Sequence, residues 1–274
     1  MITQNQLIVI WVFVLCGFLL PVLFFLFYHF KIQRLRFMPV LTGAVVFFLF
    51  AMVLEQLQHF FILKYNATTM QFFSNPWRYA VYGCLSAALY EETGRLIAFK
   101  SVLKRFRKPA DGIAFGFGHG GIEFMIIGGL GAVSSLVIAY MIRNGTFDAM
   151  IHLKGVSAEQ ASTIKEGITS VGASNVLMGI GERILAMLLQ IGMSVIVFYS
   201  VFSGKIKFYF LALALHASMD FFAALAQKGI ISPAWMVEII LIVFVIIALL
   251  LARGFVKKMR EAEKNQFSQD SPSA

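Results

Sequence analysis

The chain has 274 residues, of which 59% are hydrophobic and only 14% are charged. Soluble domains contain roughly 45–50% apolar residues, so this composition, with a mean hydropathy of +0.80, excludes an ordinary water-soluble globular protein. The net charge of +9 does not indicate a nucleic-acid partner, because no basic stripe interleaved with aromatic residues lies in a polar segment. Cys16 and Cys84 lie far apart, which excludes a disulfide framework and a paired-cysteine metal motif.

Long apolar runs predict seven membrane-spanning helices, since a helix needs about 20 apolar residues to cross about 30 Å of hydrocarbon. The runs lie at about 7–30, 38–63, 78–99, 112–142, 173–202, 208–226 and 232–252. The first run follows no positively charged segment and exceeds a signal-peptide core, so we expect a retained span. The predicted fold class is therefore all-α, a polytopic helical membrane bundle. In the longest connection, the capping pattern Ser157-Ala158-Glu159-Gln160 predicts a short surface helix.

Lysine and arginine residues are divided unevenly between the two sets of connections. Fifteen fall on one set and six on the other. Because cytoplasmic connections are enriched in Lys and Arg, we expect the N-terminus outside and the C-terminus in the cytoplasm of a bacterial cell, as a multi-pass plasma-membrane protein. Residues 1–265 are predicted to form one transmembrane domain with its catalytic helices at about 78–226, and 266–274 a disordered cytoplasmic tail.

Nine ionisable residues lie inside the predicted spans, where each costs roughly 2.5–3.5 kcal/mol on insertion scales. They are Glu91, Glu92, Arg95, His119, Glu123, Glu182, Arg183, His216 and Asp220. Such a set is tolerable only if its members face one another, so we expect most of them to converge. Glu55 and His59 end the second span, where we expect solvation at the outer interface to account for them.

The spacing of these residues supports convergence. Pairs four residues apart share one face of a helix, and the pairs are Glu91 with Arg95, His119 with Glu123, and His216 with Asp220. Glu91, His119 and His216 each lie seven or eight residues from the predicted cytoplasmic end of their span, roughly 10–12 Å at 1.5 Å per residue. Three helices are therefore predicted to present a carboxylate and two imidazoles at one level.

Glycines surround one of the two histidines. The fourth span begins with five glycines in the ten residues 112–121, on both sides of His119. Small residues let membrane helices approach closely. We expect either close helix packing there or access of a metal or an extended substrate to the imidazole.

Two histidines and several carboxylates on facing helices suit zinc, which accepts nitrogen and oxygen ligands and keeps a position for water in catalytic sites. The predicted metal ligands are His119, Glu123, His216 and Asp220. A glutamate outside this set would act as the base, with Arg95 as counter-ion of the Glu91-Glu92 pair. A metal-free site is the alternative, in which Glu91 and His119 activate water while His216 and Asp220 stabilise the oxyanion.

Three motifs at these positions resemble a known family. They read E-E-x-x-R at Glu91–Arg95, G-H-G-G-x-E at Gly118–Glu123 and H-x-x-x-D at His216–Asp220. In this order, on successive spans, they resemble the YhfC family of intramembrane metalloproteases, related to the PrsW and CAAX-protease/bacteriocin-processing families; Glu182-Arg183 also resembles a YhfC-type feature. The resemblance implies peptide-bond hydrolysis within or beside the membrane, with catalytic residues Glu91, Glu92, Arg95, His119, Glu123, His216 and Asp220.

The sequence therefore predicts an intramembrane endopeptidase of the glutamate and histidine type, with zinc as its cofactor in the metal-assisted version. Its expected partners are membrane lipids and a membrane-embedded or lipidated peptide or protein substrate. Three rival hypotheses use the same residues: a proton- or cation-coupled transporter, a membrane acyltransferase or other lipid-processing enzyme, and a catalytically inactive scaffold. A transporter would favour broken helices in repeated halves, and the sequence shows no internal repeat.

Overall fold

A computed structural model describes residues 2–153, 155–233 and 235–270, without the side chains of 266–270. Within this part of the chain, all regular elements are helices and no strand is present. Residues 271–274 of the predicted tail lie outside the described residues. The last helix continues through Asp270, and the disordered tail stays a prediction.

Ten helices follow one another along the described chain. They are α1 (Gln4–Ile32), α2 (Phe37–Tyr65), α3 (Ala67–Phe72), α4 (Pro76–Lys100), α5 (Pro109–Arg143), α6 (Phe147–Leu153), α7 (Ala158–Thr169), α8 (Ala173–Ser203), α9 (Lys207–Gln227) and α10 (Trp235–Asp270). Three of the long helices contain wider π-helical stretches, at Tyr28–Ile32 in α1, Phe48–Glu55 and Phe60–Tyr65 in α2, and Phe124–Leu130 in α5. Such stretches are rare and frequently occur at functional sites.

Six of the described helices are long and apolar enough to cross a membrane, namely α1, α2, α5, α8, α9 and α10. Helix α4 has 25 residues, about 38 Å at 1.5 Å per residue, but Glu91, Glu92 and Arg95 make it less apolar. The all-helical, multi-pass membrane fold is confirmed. The count of seven spans and the orientation of the termini stay predictions.

The described part of the chain divides into two compact units. The described residues of Met1–Leu26 and Glu123–Ile184 form the smaller unit, and those of Phe27–Ile122 and Leu185–Ala274 form the larger one. The prediction of a single domain over 1–265 stays a prediction.

The smaller unit is built around apolar contacts between α1 and the second half of α5. Its buried core includes Leu7, Ile10 and Val14 from α1 and Leu136 and Ala139 from α5. The predicted surface helix is confirmed as α7, whose capping box has both reciprocal hydrogen bonds between Ser157 and Gln160.

In the larger unit, small side chains allow α4 to pack closely against α9. Ala80, Cys84 and Ala88 of α4 are buried against Ala217 and Ala224 of α9. At its N-terminus, α4 begins with Pro76 and is capped by the Asn75 side chain, which satisfies backbone N–H groups that a helix start leaves unpaired. Because the two backbones lie close together, short polar side chains on α4 and α9 can reach one another.

Glycines bring α2 against the first half of α5. A Cβ atom on Gly118 would lie 1.8 Å from the carbonyl oxygen of Val40, and one on Gly43 would lie 2.1 Å from that of Phe115. Real side chains do not tolerate such distances, so both positions require glycine. The prediction of close packing around His119 is confirmed.

Candidate active site

Four helices of the larger unit bring a buried polar cluster together, and we call it the Arg95 cluster. Helix α4 contributes Glu91, Glu92 and Arg95, α5 contributes His119, α8 contributes Gln190, and α9 contributes His216 and Asp220. Arg95, Glu92 and His119 are completely buried, at 0% exposure. The predicted convergence of α4, α5 and α9 is confirmed.

Arg95 connects the members of the cluster. Its Nη2 donates to Glu91 Oε2 at 3.2 Å and to Gln190 Oε1, and its Nη1 donates to Glu92 Oε1. Nη2 also lies 2.9 Å from Nε2 of His119. One guanidinium thus pairs with two adjacent carboxyl groups in apolar surroundings, where an unpaired charge is very unfavourable. Its expected role as their counter-ion agrees with this geometry.

Glu91 and His119 form the first half of the cluster. Nε2 of His119 lies 2.9 Å from Oε2 of Glu91, and Nε2 of Gln190 donates to the same oxygen at 3.0 Å. The other oxygen of Glu91 has no hydrogen-bond partner among the described residues, and 9% of its side chain is exposed. Glu91 is therefore a carboxylate held rigidly by one oxygen, with the other available to water.

One ring nitrogen of His119 has no hydrogen-bond partner among the described residues. Its Nε2 faces an acceptor, Glu91, and a donor, Arg95, at the same distance, and it can satisfy only one of them at a time. When Nε2 donates to Glu91, Nδ1 has a free lone pair. Nδ1 is buried and has no hydrogen-bond partner within the described residues. An orphaned buried imidazole nitrogen of this kind can serve as a metal ligand.

Glu92, His216 and Asp220 form the second half of the cluster. Nδ1 of His216 lies 2.7 Å from Oε1 of Glu92, and its Nε2 lies 3.3 Å from Oδ2 of Asp220. An imidazole between two carboxylates donates from both nitrogens and then carries a positive charge. A nitrogen that donates a hydrogen bond has no lone pair to offer a metal. His216 is therefore held as a cation between two acids.

Glu123 ends the α-helical part of the helix that carries His119 and belongs to the smaller unit. It follows His119 by four residues in the sequence, about one helical turn later. In the smaller unit, Nη1 of Arg183 lies 3.8 Å from Oε1 of Glu123, and Arg183 also pairs with Glu182. Within the smaller unit, Arg183 thus forms ion pairs with Glu182 and Glu123.

The structure groups the predicted metal ligands differently from the sequence analysis. Of the predicted ligands in the larger unit, His119 has a ring nitrogen without a hydrogen-bond partner among the described residues, and its other nitrogen lies beside Glu91. His216 and Asp220 instead bind each other and Glu92. The reason is the chain of hydrogen bonds through Glu92 and Arg95, which separates the two histidines.

The sequence did not indicate Gln190, and the predicted environment of Glu55 was wrong. Gln190 is an uncharged amide in an apolar run, so it is not among the ionisable residues of the predicted spans. A polar side chain inside a predicted span is the sequence signal that indicates it. Glu55 was expected to be solvated at the interface, and this expectation is wrong, because Glu55 is buried at 6% exposure. It binds Nε2 of His59 through Oε1 at 3.2 Å.

Comparison with known proteins agrees with these motifs. Residues 16–241 match the model of a family described as YhfC intramembrane metalloprotease. A protein of Bacillus subtilis (strain 168), described as an uncharacterized membrane protein YhfC, is 38% identical over 198 residues, which cover 72% of this chain and 76% of the relative. No solved structure matches the chain. The match contains every predicted site residue and more than half of the sequence, and the chain belongs to the YhfC intramembrane metalloprotease family.

Proposed function

We propose that this protein is an intramembrane endopeptidase that hydrolyses peptide bonds of membrane-associated substrates with a metal-assisted glutamate and histidine site. The observation that carries the proposal is the buried pair of Glu91 and His119, joined through Arg95 to a second acid and histidine pair. Ionisable groups inside a membrane protein generally mark a functional site. The family description supports a protease among the activities that such a site allows.

Glu91 takes the proton from the attacking water. Its Oε2 is fixed by Arg95, His119 and Gln190, so its other oxygen is presented to water in one orientation. A general base must lie within hydrogen-bond reach of the proton that it removes. The partial exposure of Glu91 beside fully buried neighbours lets water approach this oxygen.

We propose zinc as the metal. His119 would hold the ion, since zinc accepts imidazole nitrogen and Nδ1 of His119 is a buried atom without a hydrogen-bond partner among the described residues, while Glu91 stays free to act as the base. When bound, the metal supplies Lewis-acid polarisation and a more acidic water.

The second half of the cluster supplies positive charge. His216, held between Glu92 and Asp220, presents a cationic imidazole in a buried environment. For the oxyanion that develops when water attacks a carbonyl, we propose that Nε2 of His216 gives up its 3.3 Å contact with Asp220 and donates to the oxyanion instead. Glu92 and Asp220 position the imidazole, and Arg95 keeps Glu92 in place.

The proposal is tested with purified full-length protein in proteoliposomes, incubated with transmembrane and lipidated peptides and analysed by mass spectrometry for new peptide ends. We expect cleavage by the wild type and a loss of about 100-fold or more for Glu91→Gln, the contribution typical of a general base. Glu261→Gln, which alters an exposed acid on α10, is the matched control and should retain full activity.

Several results would overturn the proposal. Cleavage that persists in Glu91→Gln would place the chemistry elsewhere. Proton flux that depends on Glu91, measured in the same proteoliposomes without peptide cleavage, would favour a transporter. Release of fatty acid or acyl transfer would favour a lipid-processing enzyme.

A further inference from the structure

The basic residues of the larger unit are concentrated at one of its ends, which we call the basic end. It is formed by the connections α1–α2, α4–α5 and α8–α9, with the helix ends beside them, and by the last turns of α10. These segments carry fifteen lysine and arginine residues, and all fifteen are exposed. They are Lys31, Arg34, Arg36, Lys100, Lys104, Arg105, Arg107, Lys108, Lys205, Lys207, Arg253, Lys257, Lys258, Arg260 and Lys264. The proposed mechanism assigns no role to this surface.

Side-chain contacts hold these segments together. The contacts are the ion pair of Arg36 with Asp111, the hydrogen bond from Arg260 to Gln33 at 3.3 Å, and the ring contact of Phe208 with Phe255 at 5.0 Å. They join the α1–α2 connection to α5 and to α10, and α10 to α9. The guanidinium of Arg36 also lies over the ring of Phe106 in the α4–α5 connection, 4.4 Å from the ring centre. The cations therefore share one end of the unit.

Few acids balance the charge of the basic end. Among the described side chains, these acids are Asp111, Glu261 and Glu263. Asp111 is buried at 1% exposure and already binds Arg36 and the backbone N–H of Lys108. Glu261 lies 3.9 Å from Lys257. Most of the fifteen cations thus have no acidic partner among the described residues, and a negatively charged ligand would reduce their mutual repulsion.

The α4–α5 connection has the highest density of positive charge. Residues 100–108 contain five cations and no acid. The conformation of this segment is fixed at two points, because Leu103 is completely buried and the backbone N–H of Lys108 donates to Oδ2 of Asp111 at 2.8 Å. The cations are therefore exposed on a short, anchored segment between two helices of the unit.

Exposed apolar side chains lie directly beside these cations in the sequence. Val102, inside the α4–α5 connection, is 56% exposed, and Phe37, which follows Arg36, is 71% exposed. Ile206 lies between two lysines and is 49% exposed. A phospholipid has the same combination, since its phosphate is joined to acyl chains. A soluble polyanion would leave these apolar side chains in water.

We propose that the basic end binds the headgroup phosphates of anionic phospholipids, with the α4–α5 connection as the main contact. Clusters of about four to eight lysines and arginines beside the cytoplasmic end of a membrane helix attract such headgroups. The general enrichment of cytoplasmic connections in these residues requires only that the cations lie on one side of the membrane. It does not require them to converge beside exposed apolar side chains. The inference is independent of the proposed peptidase activity.

The test compares two phospholipids that differ only in the headgroup. Purified full-length protein in detergent is mixed with equal amounts of dioleoyl phosphatidylglycerol and dioleoyl phosphatidylcholine, and the bound lipids are counted by native mass spectrometry. We expect the wild type to bind phosphatidylglycerol about tenfold or more tightly, because each cation near an anionic headgroup contributes roughly fivefold to binding. Added salt should reduce this preference, since it screens exposed charges.

Matched triple variants locate the lipid on the α4–α5 connection. The test variant combines Lys104→Gln, Arg105→Gln and Arg107→Gln, and its preference for phosphatidylglycerol should fall about fivefold or more. The control variant combines Lys64→Gln, Arg78→Gln and Lys228→Gln, which remove three cations of the same unit outside the basic end. The control should keep the preference of the wild type.

A competition measurement separates a lipid site from a site for soluble phosphate. Glycerophosphoglycerol, which is the headgroup of phosphatidylglycerol without acyl chains, is added at the same concentration as the lipid and should displace less than about a tenth of it. Displacement of most of the lipid would show that phosphate alone is recognised, and this would overturn the assignment to a phospholipid. Equal binding of the two lipids by the wild type, or an unchanged preference in the test variant, also overturns the proposal. The wild-type comparison needs no variant and holds even if a triple variant fails to fold.

Discussion

The two halves of the Arg95 cluster contain the same kinds of side chain but use them differently. In the first half, Glu91 holds one nitrogen of His119 and the other nitrogen has no partner among the described residues. In the second half, Glu92 and Asp220 occupy both nitrogens of His216. An imidazole with a free lone pair can bind a metal, whereas one that donates twice can only provide positive charge.

The comparison shows that residue type does not fix the role of a buried histidine. The role of each histidine depends on how many carboxyl groups bond to its ring. Arg95 determines how these carboxyl groups are divided between the two rings. Arg95 binds both Glu91 and Glu92. A substitution in either half of the Arg95 cluster should therefore alter the contacts of the other half through this guanidinium. Replacing each histidine separately and measuring the bound metal tests this difference most directly.

The largest difference is expected in metal content. His119→Gln should reduce zinc from about one ion per chain to less than about 0.2, because it removes the ring nitrogen that would hold the ion. His216→Gln should retain most of the zinc while losing hydrolytic activity, since this ring contributes charge and no ligand. Elemental analysis of purified protein measures both.

His152→Gln, a change in the short helix α6, is the control for histidine loss and should leave the zinc content unchanged. Loss of zinc in His216→Gln alone would reverse the assignment of the two halves. Equal loss in both histidine variants would show that the four ligands predicted from the sequence bind one ion together.

The next largest effect concerns the residue that joins the halves. Arg95→Met should lower the free energy of unfolding by about 3–5 kcal/mol, the range for removal of one partner from a buried ion pair, because Glu91 and Glu92 then remain close together without a cation. Unfolding in mixed detergent micelles, followed by circular dichroism, measures the change. Adding Glu92→Gln to Arg95→Met should restore part of the stability.

Arg253→Met removes an exposed cation from α10 and serves as the control, with an expected change within about 0.5 kcal/mol. A similar small change in Arg95→Met would mean that the two carboxylates do not depend on the guanidinium. The halves would then be independent.

The sequence predicts much of the fold and the composition of this cluster. Apolar run lengths indicate the helices, and four-residue spacing indicates which face of each helix is polar, so the approach of Glu91, His119 and His216 follows from local rules. Which acid pairs with which histidine does not follow from local rules, because the pairing depends on the rotation and depth of each helix. Glu55 illustrates the limit, since its burial depends on packing against α4 that no local pattern contains.

Substitution of Gly118 should have a smaller effect, confined to the half of the Arg95 cluster that contains His119. Gly118→Ala would place a methyl group 1.8 Å from the carbonyl oxygen of Val40, and a backbone atom cannot move aside as a flexible side chain can. We expect α5 to shift away from α2, with a loss of about 1–3 kcal/mol in unfolding free energy. His119 moves with its neighbour, so the zinc content should fall. His216, on α9, should keep its contact with Glu92.

Gly131→Ala on the same helix is the matched control, because a Cβ atom there would have nothing within 4 Å. Alanine stabilises a helix relative to glycine by up to about 1 kcal/mol, so this variant should be at least as stable as the wild type and should bind zinc normally. Equal stability of the two alanine variants would contradict the close approach of α2 and α5. Loss of stability in Gly118→Ala with unchanged zinc would show that the metal site does not depend on the backbone position of His119, and the first half of the cluster would then be less rigid than its hydrogen bonds indicate.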